Sequence, residues 1–427
     1  MSEGPAFVEG GAAGAGPASP LHLFAAFGIE LEYMLVDAGS LDVLPVADEV
    51  LRAAAGEIVG DWENGEIAWS NELVLHLLEL KTNGPAPALA GLPALFQRDL
   101  GRLRELLAPL GGRVMPTAMH PWMDPAVETR LWPHAGGEVY AAFDRIFGCK
   151  GHGWSNLQSV HLNLPFAGDE EFSCLHAAIR MVLPILPALA ASSPVVDGHA
   201  TGVLDNRLEF YRRNCARIPS LTAAVIPEPV FSRAAYERDI LAPIYRDLAP
   251  HDPEGVLRDE WVNARGAIAR FQRDAVEIRV LDMQECPRAD LASAALIVAA
   301  IRALVEARWA DRERQLRWST ARLARILRAV VRDGERARLH DPEYVEMFGL
   351  HGDRQRTAGE LWQHLAQELM FGPDMDRGWR RPLEVILERG PLGRRILAAL
   401  GPDPGRDRLA GVYRQLCDCL DAGVLFE

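Results

Sequence analysis

The sequence has almost no lysine and no long hydrophobic segment. Of its 45 basic residues only Lys81 and Lys150 are lysines, and no block of basic residues occurs. The formal net charge is −14 over 427 residues, so we do not expect nucleic acid as a partner. No stretch approaches roughly 18 uninterrupted apolar residues, so we expect no membrane-spanning segment.

Cysteine is sparse, and the features of a secretory signal are absent. Six cysteines are scattered along the chain, and the first residues lack the basic start and apolar core of a signal peptide. We therefore expect reduced thiols and a cytoplasmic location. Residues 1–20 are rich in glycine, alanine and proline, which predicts a flexible N-terminal tail.

Several familiar catalytic motifs are also missing. The sequence has no glycine-rich Walker-type loop followed by lysine, which argues against a P-loop enzyme. It has no zinc-binding spacing of cysteine and histidine and no nucleophile elbow. The chemistry must therefore come from residues that these motifs do not mark.

The most informative segment covers residues 27–37, which have the apolar, β-branched and aromatic composition of a β-strand but include Glu30 and Glu32. Residues two apart on a strand point to the same face. Two carboxylates side by side on a mostly buried strand repel each other and lose hydration, unless a cation lies between them. A hard divalent ion suits that place best. A solvated face on an exposed edge strand is the alternative interpretation.

Three further predicted strands carry ionisable or polar residues on one face. They are Glu79, the pair His161 and Asn163, and the pair Glu277 and Arg279. Each has an ordinary explanation: a glutamate at a strand end, a satisfied core histidine, or a solvated cross-strand ion pair. Together they predict one polar surface shared by four strands. Carboxylates with one imidazole suit Mg²⁺ or Mn²⁺, and a guanidinium suits phosphoryl oxygens.

The order of predicted elements favours an α+β fold. Strands and helices alternate without strict βαβ regularity, and shorter helices broken by Gly-Pro and Asp-Pro follow. One continuous helix is predicted over 169–192, and the first strand is predicted over 21–37. We divide the chain into the tail at 1–20, a catalytic domain at 21–333 and a helical C-terminal region at 334–427.

An ordered set of short motifs resembles the glutamate–cysteine ligase family, in its type 2 branch of bacterial carboxylate–amine ligases. The set keeps the family's order over roughly residues 27–283. It consists of Gly28-Ile29-Glu30-Leu31-Glu32-Tyr33, Leu78-Glu79-Leu80-Lys81-Thr82-Asn83, His120-Pro121, Val160-His161-Leu162-Asn163, Ala191-Ser192-Ser193-Pro194, Thr201-Gly202 with Arg207, and Glu277-Ile278-Arg279-Val280-Leu281-Asp282.

The resemblance implies a fold and a site. The fold is a curved, mainly antiparallel sheet with helices packed outside, similar to glutamine synthetase, and it holds ATP with two or three divalent ions. The implied metal ligands are Glu30, Glu32, Glu79, His161 and Glu277. Glu277 and Arg279 are the implied catalytic residues. Arg279 and Arg265 would contact phosphate, with Arg270 and Arg273 left open as alternatives to Arg265. Thr82, Asn83, Asn163 and Arg207 would hold the amino-acid substrate.

The resemblance also implies an activity. An ATP-dependent ligase of this kind joins glutamate, through its γ-carboxylate, to cysteine or another amine by way of an acyl phosphate, as in glutathione biosynthesis. Mg²⁺ is the expected ion, with Mn²⁺ as an alternative, and the expected partners are small-molecule substrates. The acceptor amine and a homo-oligomeric state stay open. The alternatives are a kinase acting on a nitrogen nucleophile, and an inactive scaffold or regulatory partner of a companion ligase.

Overall fold

A large antiparallel sheet lies at the centre of the structure, a computed structural model that describes residues 20–352, 354–372 and 377–427. The predicted tail therefore lies outside the described residues, except for Pro20. The strands are β1 (Gly28–Asp37), β2 (Asp61–Asn64), β3 (Ile67–Asn71), β4 (Leu77–Thr82), β5 (Gly112–Met115), β6 (Ser159–Pro165), β7 (Val195–Val196), β8 (His199–Ala200), β9 (Ala267–Arg270), β10 (Ala275–Asp282), β11 (Arg338–Leu339) and β12 (Arg356–Thr357).

The order of strands in the main sheet is β2-β3-β4-β1-β6-β10-β9, and β5 pairs with the second half of β1. All of these pairings are antiparallel. The remaining strands form two short ribbons, β7 with β8 and β11 with β12. This arrangement confirms the predicted α+β class with a mainly antiparallel sheet.

Helices cover one face of the sheet and continue to the C-terminus. The α-helices are α1 (Ala47–Ala55), α2 (Leu92–Leu107), α3 (Pro125–Glu128), α4 (Gly137–Phe147), α5 (His152–Ser155), α6 (Gly168–Val182), α7 (Pro187–Ala190), α8 (Asn206–Asn214), α9 (Arg233–Tyr236), α10 (Ala242–Leu248), α11 (Pro287–Val305), α12 (Arg312–Leu316), α13 (Thr320–Asp333), α14 (Pro342–Glu346), α15 (Ala358–Leu369), α16 (Arg377–Arg389), α17 (Leu392–Leu400) and α18 (Arg406–Ala422). A π-helical turn at Glu237–Leu241 joins α9 to α10.

The two faces of β1 have different environments, because alternate residues of a strand point in opposite directions. Ile29, Leu31 and Tyr33 are fully buried in the main hydrophobic core, together with side chains of α2, α6 and α11. Glu30 and Glu32 therefore point to the opposite face. The apolar half of the alternation anchors the strand in the core and fixes the direction of the two carboxylates.

Two of the predicted element boundaries are wrong. The first strand begins at Gly28 instead of residue 21. The predicted helix over 169–192 stops at Val182 and continues as a 3₁₀ turn and the short helix α7. Pro184 and Pro187 explain the interruption, because proline lacks the amide hydrogen that a continuous α-helix requires.

The C-terminal helices, α14 to α18, pack on the sheet region. Helix α16 lies against α11, and α18 lies against β5. The hydrophobic core continues into this region through residues such as Trp362 and Leu383. The structure does not test whether residue 333 marks a domain boundary, so that division stays a prediction. Within the described part of the chain, no helix has the length and apolar character needed to cross a bilayer.

Candidate active site

Polar residues from four strands lie on one face of the sheet. Residues opposite each other in an antiparallel pair share a face. The register pairs Glu30 with Lys81 and His161, Glu32 with Glu79, and Glu277 with Asn163. The structure therefore brings all five predicted metal ligands together.

The imidazole of His161 lies between two glutamates. Its Nδ1 is 2.6 Å from Glu30 Oε2, and its Nε2 is 3.5 Å from Glu32 Oε1. Ser159 holds the second glutamate, because its backbone N–H and its hydroxyl donate to Glu32 Oε2 at 2.6 and 2.9 Å. Burial disfavours a charge on His161, but the hydrogen bond to Glu30 and the surrounding negative charges outweigh burial and raise the pKa of His161 to about 10. These interactions favour the protonated imidazole, which would lose its proton on binding a metal ion.

Two sets of side chains in this cluster are arranged closely enough to hold a metal ion. One set is Glu30, Glu79 and His161, and the other is Glu32, Glu72 and Glu79; in each, the ligand atoms lie within 4.8 Å of one another. Glu79 belongs to both sets. Burial and the charge of Glu30 raise the pKa of Glu79 to about 7, although Lys81 and His161 act in the opposite direction. Burial and neighbouring glutamates also raise the pKa of Glu72 well above its usual value. The cluster holds more carboxylates than its own cations neutralise.

The sequence patterns do not predict two members of this cluster. Glu72 directly follows the end of β3, in the connection to β4, where strand alternation does not apply. The ammonium of Lys81 is 2.7 Å from Asp61, 3.0 Å from the hydroxyl of Ser70 and 3.5 Å from Glu79. The sequence does offer a signal for Lys81, because it is one of only two lysines in the chain and stands two residues from Glu79.

Two arginines hold Glu277. Arg279 donates from Nε and Nη2 to Glu277 Oε1 at 2.9 and 2.6 Å, and Arg270 donates to Oε2 at 3.2 Å. The Nη1 of Arg279 also donates to the backbone carbonyl of Asn263 at 3.2 Å. Glu277 Oε1 is 3.9 Å from His161 Nδ1. Glu277 thus joins the arginines to the carboxylate cluster.

The structure does not place Arg265 with these groups. Its guanidinium donates to Glu228 at 2.6 and 2.8 Å and to the backbone carbonyl of Ser220 at 3.1 Å. The register explains the difference, because Ile268 lies opposite Glu277, so that Arg270 shares the face of Glu277 whereas Arg265 has the opposite parity. Arg270, one of the arginines left open by the sequence, lies beside Glu277.

The predicted substrate-binding residues are in different surroundings. Asn163 donates to Glu30 Oε1 at 2.9 Å and so lies in the cluster. Thr82 accepts from the backbone N–H of Ile29 at 3.2 Å, and Asn83 is exposed and donates to the carbonyl of Gly65. Arg207 is almost completely buried, and its Nε donates to Asp282 Oδ1 at 2.7 Å. Asp282 also accepts from Ser192 and Ser193, so Arg207 is part of a buried hydrogen-bond network. A shift in register places Asp282 opposite Ser159, so this network adjoins the cluster.

Comparisons with known proteins agree with this fold. The sequence model of glutamate–cysteine ligase family 2 matches residues 26–410. A protein of Archaeoglobus fulgidus is 32% identical over 400 residues, covering 93% of this chain and 99% of its own length. A Pseudomonas putida protein named "Putative glutamate–cysteine ligase 2" is 29% identical over 369 residues, covering 84% of this chain and 88% of its own. The crystal structure of a glutamate–cysteine ligase from Francisella tularensis in complex with AMP superposes with a TM-score of 0.56 at 13% identity, covering 92% of this chain and 88% of that chain.

These findings define a class of enzyme, the ATP-dependent carboxylate–amine ligases, which form carbon–nitrogen bonds. Within that class, the chain belongs to glutamate–cysteine ligase family 2, because the family model spans most of its length.

Proposed function

We propose that this ligase joins the γ-carboxylate of glutamate to cysteine or another amine, at the expense of ATP and through an acyl phosphate. The observation that carries the proposal is the clustering of Glu30, Glu32, Glu79 and His161 beside the Glu277–Arg279 pair in a member of this family. The complex of the Francisella tularensis ligase with AMP supports an adenine nucleotide as a ligand of the same fold here.

We propose that Mg²⁺, or Mn²⁺ in its place, binds this cluster. The donor set is mostly carboxylate oxygen with one imidazole, which suits these ions. The crowding that raises the pKa of Glu79 to about 7 is the kind of surplus negative charge that a divalent ion offsets. Glu30, Glu32, Glu72, Glu79 and His161 are the proposed ligands, with Glu277 at the edge of the set. When bound, such ions would offset the negative charge of the ATP phosphates.

The proposed roles of the remaining side chains are to orient and to stabilise charge. Arg279 and Arg270 hold the phosphoryl oxygens, and Glu277 keeps the guanidinium of Arg279 in one orientation. The glutamate carboxylate attacks the γ-phosphorus and ADP leaves. The amine then attacks the acyl carbon, loses a proton and displaces phosphate, and an amide remains. Asn163 and Asn83 contact the amino-acid substrate. Thr82 lies on the opposite face of β4 from Lys81 and supports β1 through the N–H of Ile29, while Arg207 positions β10 through Asp282.

The test is to incubate the enzyme with ATP, Mg²⁺, glutamate and a panel of amines, and to measure ADP release and product mass together. An amide whose mass equals glutamate plus one amine minus water supports the proposal. A phosphorylated amine without an amide would instead show a kinase. No ADP release across the panel, with no ATP binding, would show a scaffold.

A further inference from the structure

A small cavity lies between α8, α13 and the loop at 222–226, away from the carboxylate cluster. Its volume is about 120 Å³. It is lined by Leu208, Glu209, Arg212, Ala223, Ala224, Val225, Leu327, Arg328 and Val331. The four larger apolar side chains of this set are nearly buried and form the floor, whereas Ala223, Ala224 and Arg328 are exposed and form the mouth. A dry cavity of roughly 150 Å³ holds a benzene molecule, so this floor accommodates an apolar group of roughly four or five carbons.

The mouth of the cavity is positively charged, although the whole chain has a net charge of −14. Glu209 is already bound by both Arg212 and Arg213. Arg328 has no ion-pair partner among the residues that the structure describes. Two guanidinium groups, those of Arg212 and Arg328, and one carboxylate, that of Glu209, line the cavity. Because Arg213 also pairs with Glu209, the positive charge of Arg328 is left without a matching carboxylate, which favours an anion at the mouth.

The loop that forms one wall has a strained backbone. Ala223 and Val225 have φ angles of 48° and 67°, in the left-handed region. A β-branched residue is a rare occupant of this region, and such strain persists only where surrounding contacts enforce it. The wall of the cavity is therefore held in a conformation that its own residues disfavour.

The same loop is connected through Gly266 to β10, the strand that carries the proposed phosphate ligand. The carbonyl of Val225 accepts from Gly266 N–H at 2.7 Å, and the carbonyl of Gly266 accepts from Arg279 N–H at 3.1 Å. The packing is tight as well, because a Cβ on Gly266 would lie 3.0 Å from Val225 Cγ1. A shift of the cavity wall would move the backbone of Arg279 through two consecutive hydrogen bonds.

We propose that this cavity is an effector site for a small carboxylate with a branched apolar tail, and that its occupancy changes the affinity of the active site for nucleotide. The tail packs on Leu208, Leu327 and Val331, and the carboxylate meets Arg328 and Arg212. The binding step depends only on the cavity, whereas the coupling step rests on the proposed function, in which Arg279 contacts phosphate.

The first experiment measures binding of 4-methylpentanoate to the full-length protein by isothermal titration calorimetry. We expect binding at least tenfold tighter than for 4-methylpentanamide, which lacks the charge, and for acetate, which lacks the tail. Equal affinities for the acid and the amide would overturn the assignment of the arginine mouth. No measurable binding of 4-methylpentanoate at millimolar concentration would overturn the site.

Two variants at exposed positions locate the binding. Arg328→Ala removes the charge, and Ala224→Phe places a ring at the mouth; each should weaken binding of 4-methylpentanoate at least tenfold. Arg325→Ala is the matched control, because Arg325 is also exposed on α13 but does not line the cavity. An equal loss in Arg325→Ala would show a general charge effect and would overturn the site.

The coupling is measured without turnover. We expect saturating 4-methylpentanoate to change the dissociation constant of Mg·ADP at least threefold, and Mg·ADP to change that of 4-methylpentanoate by the same factor, as linkage requires. An unchanged ADP constant, with 4-methylpentanoate bound, would overturn the coupling. If ADP does not bind at all, both the proposed function and the coupling fail. The tenfold preference for 4-methylpentanoate over its amide and over acetate still decides whether the binding site exists.

Discussion

The carboxylate cluster on the sheet differs from the ion pair between Glu285 and Arg395, near the C-terminus, in how its negative charges are matched by positive ones. In the C-terminal pair, Arg395 donates to both oxygens of Glu285 at 2.6 and 3.2 Å and also to the carbonyl of Phe426 at 2.6 Å. The two side chains are 4% and 0% exposed, and one carboxylate meets one guanidinium. In the cluster, Glu79 and Glu72 keep raised pKa values despite Lys81 and His161.

The difference separates a structural ion pair from a ligand site. A buried pair with satisfied hydrogen bonds serves the fold, and removing one partner leaves an unpaired buried charge. A cluster with surplus carboxylates lowers stability by itself, and it is typical of sites that bind cations or do chemistry. Substitutions in the two regions should therefore affect different properties of the protein.

The largest expected effect is the loss of turnover in Glu30→Gln and Glu277→Gln. Each should reduce ADP release by roughly 10³-fold, because an amide cannot supply the negative charge that these positions contribute. Some loss of thermal stability is also expected, because Glu30 is paired with His161, and Glu277 with Arg279 and Arg270. Turnover should therefore be measured per folded molecule, and full activity per folded molecule in either variant would remove that residue from the proposed site.

For Arg395→Met, in contrast, the main expected effect is a loss of stability. This change leaves Glu285 buried without its partner, and we expect it to lower the free energy of unfolding by roughly 3–5 kcal/mol, measured by urea denaturation. The matched control is Arg381→Met, because Arg381 pairs with Glu427 at the same end of the chain but is 51% exposed. The control should change stability by less than about 1 kcal/mol. Equal effects in the two variants would contradict the distinction between buried and exposed pairs.

Arg279→Lys and Arg265→Lys test which arginine serves the site. A lysine cannot reproduce the two-pronged contact of Arg279 with Glu277, so turnover should fall roughly 100-fold. Arg265→Lys disturbs the contacts of Arg265 with Glu228 and with the carbonyl of Ser220, none of which involves the cluster, and turnover per folded molecule should fall less than about threefold. Turnover and the fraction folded should be measured on the same samples. A greater loss in Arg265→Lys would contradict the placement given by the strand register.

The sequence predicts the central part of the site because strand alternation has a fixed period. Glu30 with Glu32, His161 with Asn163, and Glu277 with Arg279 each stand two apart, and alternation places each pair on one face without any knowledge of the fold. The same rule does not reveal Glu72, which lies in the connection between β3 and β4. Arg265 shows a second limit, because its direction depends on the pairing of β9 with β10, a long-range property of the sheet.

The contacts of the C-terminal helices could not be predicted from the sequence either, because they also depend on long-range packing. Glu285 and Arg395 are 110 residues apart, and neither belongs to a recognisable motif. Periodicity predicts helices in this region but not the surfaces on which they pack. The two prolines that interrupt the helix over 169–192, by contrast, were visible signals, and giving them more weight would have placed the end of α6 near Val182.

The smallest expected effect is a shift in the pH dependence of Mn²⁺ binding when Lys81 is replaced. A metal ion competes with a proton on Glu79, whose pKa is raised to about 7, and with a proton on His161, whose pKa is raised to about 10. Mn²⁺ affinity should therefore rise as the pH increases up to about 10, with a first step near pH 7 that belongs to Glu79. Lys81→Met removes a positive charge that lowers the pKa of Glu79, so this first step should move to higher pH. Calorimetric titration of Mn²⁺ across a pH series measures this. Lys150→Met, at the exposed second lysine, is the control and should leave the profile in place. If the pH dependence of Mn²⁺ binding is the same in Lys81→Met as in the wild type, Lys81 does not lower the pKa of Glu79. The negative charge of the cluster is then offset by His161 and the arginines alone.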